Sequence, residues 1–308
     1  MDYVTQVNEA LRTELAAREL TVVYGQNVNA GSRLGGLARD FSGIPGCRVV
    51  NTPNTENSLV GMGFGLMLSG IPSMFAMKQQ DFVLLGVDHL VNTWNALRSR
   101  GPFVPFVIAM IVVDSGWEGP QSGFNNTGGI SSLSRIPAFF PTGAADIPLA
   151  VAGAFQGGPA ILAVSQRMFR RTPISTDPAT IVETSDSYTI YSGGGGGHPR
   201  AVILANNFSL EQAWQLRQDS PFDTNDVAIV SYFRQETMPD QRIIELCAGA
   251  EHATIVDDQK SMLPTSSSIY EEIRASFPRM SVSYIRRMDI DMWARPNEDV
   301  LARCPITW

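Results

Sequence analysis

Residues 48–77, RVVNTPNTENSLVGMGFGLMLSGIPSMFAM, constrain the fold more than any other stretch of the chain. A short apolar strand, Val49 and Val50, runs into a polar turn at 51–54. Glu56 then opens a helix with no other charge before Lys78. That helix carries glycine at 61, 63 and 65, each costing about 1 kcal/mol against alanine in an ordinary helix interior. Such a row predicts that a neighbouring helix or a ligand comes close to the backbone. The lone acid has two readings. It can complement the helix dipole, a stabilisation of roughly 0.3–1 kcal/mol, or it can be a partly buried carboxylate that partners one ligand nitrogen. Dipole-complementing acids are common, and spacing by itself favours the first.

The rest of the chain supplies the frame. Val4, Val7, Leu11 and Leu15 follow helical spacing and predict an amphipathic helix. Strands are expected at 20–28, 48–53, 73–77, 105–113, 136–140 and 159–165. Helices are expected at 34–41, after Glu56, at 82–100 with Asp81 as its cap, and at 147–155. This alternation predicts an α/β fold with a doubly wound parallel sheet, whose ligand-holding loops leave the carboxyl ends of the strands. The turn after Pro53 is one of those loops, and 114–127 is a long polar, glycine-rich one. Residues 171–199 are Thr/Ser-rich and then run through five glycines at 193–197, the composition of a linker. No lysine-bearing strand-loop-helix unit follows those glycines, so they do not form a phosphate loop. A smaller alternation follows, with strands at 201–205, 227–231, 253–258 and 281–285 and helices at 210–217, 240–250 and 266–277. The expected domains are therefore 1–170 and 200–308, joined by 171–199, with a proline-interrupted tail packed on the second.

Composition excludes several classes. A net charge of −7 is unsuited to non-specific nucleic-acid binding. The charge-free run 57–77 reaches the length of a membrane span, but its glycines, Ser69 and Pro72 break it into helix, turn and strand. Cysteines at 47, 247 and 304 have neither metal-like nor paired spacing, which predicts reduced thiols in a cytoplasmic protein.

NTPNTENSLVGMGFGLMLSG resembles a segment of the beta subunits of thiamine-diphosphate-dependent 2-oxo-acid dehydrogenases, and its counterpart in the carboxyl-terminal half of transketolase. VVYGQNV resembles the V-x-x-G-E-D-V strand end of those families, and QQDFVLLGVDHLVNTWNALRSRGPFVPFVI their F-x-D-F-x-x-P-x-x-D-Q-I-x-N stretch. The second domain and the ending R-x-D-x-x-x-x-x-P resemble their carboxyl-terminal domain. The resemblance implies a pyrimidine-binding domain of the thiamine-diphosphate fold followed by a smaller transketolase C-terminal-like domain. It implies that Glu56 is catalytic and shares a proton with the aminopyrimidine ring of the cofactor. Asn54, Thr55, Gln26, Gln79, Phe75 and Phe82 are the positions it places around that ring, and Gln121, Ser122, Asn125 and Asn126 those it places near substrate.

Departures from the family are equally informative. The Gly-Asp-Gly segment that holds magnesium and diphosphate is absent, so the resemblance implies a partner: an alpha-type subunit carrying Mg2+, in a heterotetramer of two alpha and two beta chains. No metal site is assigned to this chain. The family's G-E-D reads Gly25-Gln26-Asn27, and amides at Gln79 and Gln80 stand where an aromatic should stack on the pyrimidine. The loop GWEGPQSGFNNTGG lacks the families' substrate-side histidine, and His89, His198 and His252 lie elsewhere. That loss points away from a lipoyl acceptor and from an ordinary sugar transketolase. The expected activity is a non-oxidative, transketolase-like cleavage or formation of a carbon–carbon bond beside a carbonyl, acting on an oxo acid or ketose. The alternatives are a 2-oxo-acid dehydrogenase beta subunit feeding a lipoyl carrier, and a non-catalytic scaffold subunit.

Overall fold

The computed structural model describes residues 1–114, 125–175, 180–192, 198–235, 238–259 and 266–286. Six strands build the first sheet: β1 (Thr21–Gly25), β2 (Cys47–Asn51), β3 (Ser73–Met77), β4 (Pro105–Val112), β5 (Ala138–Phe139) and β6 (Gly158–Ser165). All are parallel, in the order β2-β1-β3-β4-β6-β5. Strands β3, β4 and β6 are buried along their whole length, as expected of near-continuous apolar runs covered on both faces. Helix α1 (Tyr3–Ala16) buries its Val7–Leu11–Leu15 stripe against α5 (Asp146–Ala154), which follows α4 (Thr127–Ser134), and Asp2 caps α1 by accepting from the Thr5 amide at 3.0 Å.

The glycine row in α2 (Glu56–Leu68) divides into distinct roles. A Cβ on Gly63 would stand 2.1 Å from the Phe106 ring and 2.6 Å from the Tyr24 hydroxyl, so here the helix lies directly on the sheet. A Cβ on Gly61 would meet the His89 imidazole at 2.9 Å, so His89 packs on the helix. Gly65 is exposed, with nothing within 4 Å of its Cβ position.

The second sheet contains β7 (Ile181–Thr184), β8 (Tyr188–Tyr191), β9 (Ala201–Asn206), β10 (Val227–Tyr232), β11 (His252–Asp257) and β12 (Ser281–Arg286). Its order is β12-β11-β9-β10-β8-β7, with β8 and β7 antiparallel to their neighbours and the other pairs parallel. Helices α6 (Leu210–Gln218), α7 (Gln241–Cys247) and α8 (Ser266–Ser276) connect the parallel strands.

Three local expectations are corrected. Residues 181–191 are a hairpin of the second sheet rather than linker: Tyr188, Ile190 and Tyr191 bury their rings and side chain against β10, which outweighs the polar composition around them. The expected helix 82–100 is instead a 3-10 segment (Gln80–Gly86), a π turn (His89–Thr93), α3 (Trp94–Leu97) and a second 3-10 turn (Arg98–Arg100). Asp81 lies inside its first turn and caps nothing. The physical reason is contact with α2: a Cβ on Gly86 would meet Val60 at 2.5 Å, and packing overrides helix propensity. The expected helix 34–41 is instead a 3-10 turn at Leu34–Gly36 and a second at Phe41–Gly43, separated by turn residues and broken by the left-handed backbone of Leu34 (φ 57°) and Asp40 (φ 59°). The tail from 287 onward and the glycine run 193–197 lie outside the described residues.

Gly63→Ala and Gly65→Ala test the reading of α2 as a pair. Alanine gains about 1 kcal/mol of helix propensity at either site. At 63, overpacking against the ring costs roughly 1–3 kcal/mol and dominates. In urea unfolding of the isolated chain, Gly63→Ala should lower the midpoint and Gly65→Ala should raise it.

Candidate functional site

In the first sheet β2 and β3 lie on opposite sides of β1, so the chain leaves the carboxyl end of β1 at a topological switch point, where open α/β sheets bind ligands. Gly25 ends β1 at φ +147°, and a Cβ there would sit 2.2 Å from the Ala76 carbonyl, so only glycine lets the two strands part this closely. The Thr52 amide donates to the Gly25 carbonyl at 3.0 Å and draws the turn after β2 across the strand end. The result is a small cleft. Its walls are Leu59, Phe75, Met77 and Phe82; its polar groups are Gln26, Asn54, Glu56 and Lys78.

Glu56 is the first residue of α2 and only 8% exposed. Among the described residues no group donates a hydrogen bond to its carboxylate, and Lys78 forms no ion pair with it. The helix N-terminus, with its unsatisfied amides, partly compensates a charge placed there. The cleft therefore presents a carboxylate acceptor to whatever enters.

The other expected positions divide. Gln26 and Asn54 line the cleft; Thr55 is exposed beside it as the residue before α2, with no side-chain cap bond. Phe75 stacks on Tyr24, centroids 5.3 Å apart and planes within 1°, so one of its faces is taken. Phe82 lines the cleft and is half-buried, which makes it the aromatic with surface to offer. Gln79 is half-buried and does not line the cleft; Gln80 is 1% exposed and turns the other way, donating to Thr127 Oγ1 at 3.1 Å. Asn125 is 1% exposed and donates to Asp258 of the second domain at 3.2 Å; the Asn126 amide donates to Gln80 at 3.3 Å. Neither asparagine reaches the cleft. Gln121 and Ser122 lie outside the described residues. Among the described residues, no group of three or more His, Cys, Asp or Glu could hold a metal ion, and no helix is long and apolar enough to cross a membrane.

Two residues escaped the sequence reading. Lys78 follows β3 directly and is the cleft's basic group; being the first charge after Glu56 was its signal. Asp81 is half-buried, with Oδ2 sealed from solvent and without a hydrogen-bond partner, and burial pushes its carboxyl up to about 6. Nothing in the linear pattern distinguishes it from an exposed helix cap.

No family model matches the chain. It is 30% identical over 100 residues to the mitochondrial 2-oxoisovalerate dehydrogenase subunit beta of Chaetomium thermophilum, covering 32% of this chain and 21% of the relative. It is 26% identical over 104 residues to the 2-oxoisovalerate dehydrogenase subunit beta of Bacillus subtilis, covering 32% and 31%. With the chloroplastic pyruvate dehydrogenase E1 component subunit beta-3 of Oryza sativa subsp. japonica it shares 33% over 109 residues, covering 33% and 27%. The chain thus spans less than a third of the length of these relatives in each match. Among solved structures, a split gene transketolase, an inactive beta4 tetramer, superposes with a TM-score of 0.65 over 92% of this chain and 87% of its own, at 15% identity.

Because burial raises the Asp81 carboxyl from 3.8 to about 6, the folded chain holds that proton more tightly than the unfolded one. The stability this contributes is present below about 3.8 and is lost as pH rises through about 6. Asp81→Asn, which removes the charge, should raise the melting temperature above pH ~7 and change it little below pH ~4; an equal shift at both pH values would contradict the assignment. Over about a third of its length this chain is similar to beta subunits of 2-oxo acid dehydrogenases, and over nearly all of the described backbone it has the fold of split gene transketolase.

Proposed function

We propose that this chain is the pyrimidine-binding, beta-type subunit of a two-subunit enzyme dependent on thiamine diphosphate. The observation that carries the reading is Glu56: an acid only 8% exposed, with no donor to its carboxylate among the described residues, at the mouth of an apolar cleft on the switch point of a parallel sheet. An aminopyrimidine fits this donor set. Glu56 would hold the ring nitrogen and share its proton; Leu59, Met77 and Phe82 would flank the ring, and Gln26 and Asn54 would offer amides at its edge. Bound there, thiamine diphosphate supplies the electron sink for breaking or forming a carbon–carbon bond beside a carbonyl.

In this chain alone the cleft holds about 10 Å³, room for about one water. It is one wall of a site completed at a seam with another polypeptide. That partner is an alpha-type subunit holding Mg2+ and the diphosphate, in a heterotetramer. Closure of the seam removes water from around Glu56, and the charge-free stretch of α2 beyond it makes the surroundings dry. The substrate class is a small oxo acid or ketose, and the reaction is non-oxidative and transketolase-like, because the loop 114–127 contains no histidine. The similarity to 2-oxo acid dehydrogenase beta subunits favours a second reading, in which the acyl fragment passes to a lipoyl carrier.

The chain should be purified with its partner and assayed against a panel of 2-oxo acids and ketoses with thiamine diphosphate and Mg2+. Glu56→Gln and Glu56→Ala should reduce turnover by at least about 10²-fold, with the melting temperature and the assembly unchanged. Full activity in Glu56→Ala would refute the reading. Transfer to a lipoyl domain would select the second.

A further inference from the structure

A chain of buried polar contacts runs from the cleft wall into the second domain. Gln80 lies between Lys78 and Phe82, both of which line the cleft. Its side-chain amide donates to Thr127 Oγ1 at 3.1 Å and accepts from the Asn126 amide at 3.3 Å. Asn125 in turn accepts from the Thr127 amide at 3.3 Å and donates to Asp258 Oδ1 at 3.2 Å. Asp258 directly follows β11 in the second domain and is 0% exposed. Its other oxygen lies 3.5 Å from the Arg167 guanidinium. Arg167 returns to the first domain: its amide donates to Asp114 Oδ1 at 2.9 Å, and Asp114 also accepts from Ser165 at 2.6 Å. Gln259 reinforces the crossing, because a Cβ on Gly128 would stand 2.2 Å from its amide nitrogen.

Two features follow. Asp114 and Asn125 are the stems on either side of 115–124, and a single guanidinium, 5% exposed, links the carboxylates that hold both. Gln80 then connects the second stem to the cleft wall. In low dielectric such linked hydrogen bonds strengthen one another, and loss of one member leaves buried groups unsatisfied.

We infer that Gln80 is a positioning residue that couples the Glu56 cleft to the second domain, so that Asp258 helps to set the geometry of the wall 78–82. Its consequence for turnover rests on the function proposed above; the coupling does not. Hydrogen exchange on the full chain therefore comes first. Gln80→Met keeps the volume and removes both hydrogen bonds. It should speed amide exchange at 125–130 and also at 253–259, across the domain boundary, by about tenfold. Asp258→Asn should do the reverse, exposing 78–82. Ser231→Ala, which loosens a different seam contact to Asp146 (2.7 Å), should leave 78–82 unchanged. Exchange that rises only in the domain carrying each substitution would overturn the inference.

In the assembled enzyme, Gln80→Met should lower kcat about tenfold, and Gln80→Glu, which keeps an acceptor for the Asn126 amide, should recover part of it. Cross-boundary exchange with unaltered kcat would overturn the positioning role. Loss of exchange coupling together with an inactive Glu56→Ala would overturn the inference while leaving the cofactor reading intact.

Discussion

The divergence of the chain at the carboxyl end of β1 is the constraint on which everything else depends. With β2 on one side and β3 on the other, the segments leaving their ends cannot close over the gap between them. Gly25 makes the gap narrow by bringing its backbone against Ala76, where any side chain would collide. Helix α2 starts from that gap, so its first residue, Glu56, points its functional group where the sheet is open. The glycine at 63 then lets α2 lie on Phe106 and Tyr24, which holds the helix start in place. A cleft, an acid at its mouth and apolar walls are all results of one strand order.

The two domains meet through polar groups as much as through apolar ones. Asp114 and Asp258 are fully buried and face one Arg167, while Asp146, also fully buried, accepts from Gly143, Ser231 and Tyr191. Burial pushes the Asp146 carboxyl upward against these donors. Buried ion pairs add little net stability over apolar packing, but removing one partner is costly. Such a seam specifies one arrangement of the domains. Phe208 and Phe233 of the second domain, which join the core of the first, supply the apolar part. A backbone bond from Phe140 to the Phe233 carbonyl at 2.6 Å places them.

Much of this was legible in linear order. Alternating apolar runs predicted both sheets, because a strand covered on two faces leaves few choices of residue, and β3, β4 and β6 are such strands. Glu56 was legible as a lone acid at a helix entry, whereas Gln26, Asn54 and Phe82 came from the family resemblance and not from local pattern. Hairpin β7–β8 was not: its burial comes from β10, some forty residues later, and local composition argued the other way. Asn125 was misplaced for a similar reason. The resemblance set it near substrate, whereas its partner is Asp258, more than a hundred residues away.

By itself the sequence determined the apolar strands of the first sheet and the parallel strands of the second, and which acid stands alone at a helix entry, because these depend on nearest neighbours and on periodicity. Only the tertiary structure decided that Phe75 has a face covered by Tyr24, that Gln80 turns from the cleft toward Thr127, and that Asp81 is half-buried. Each of these depends on which side chains from distant segments occupy the same few ångströms, and no local pattern carries that information.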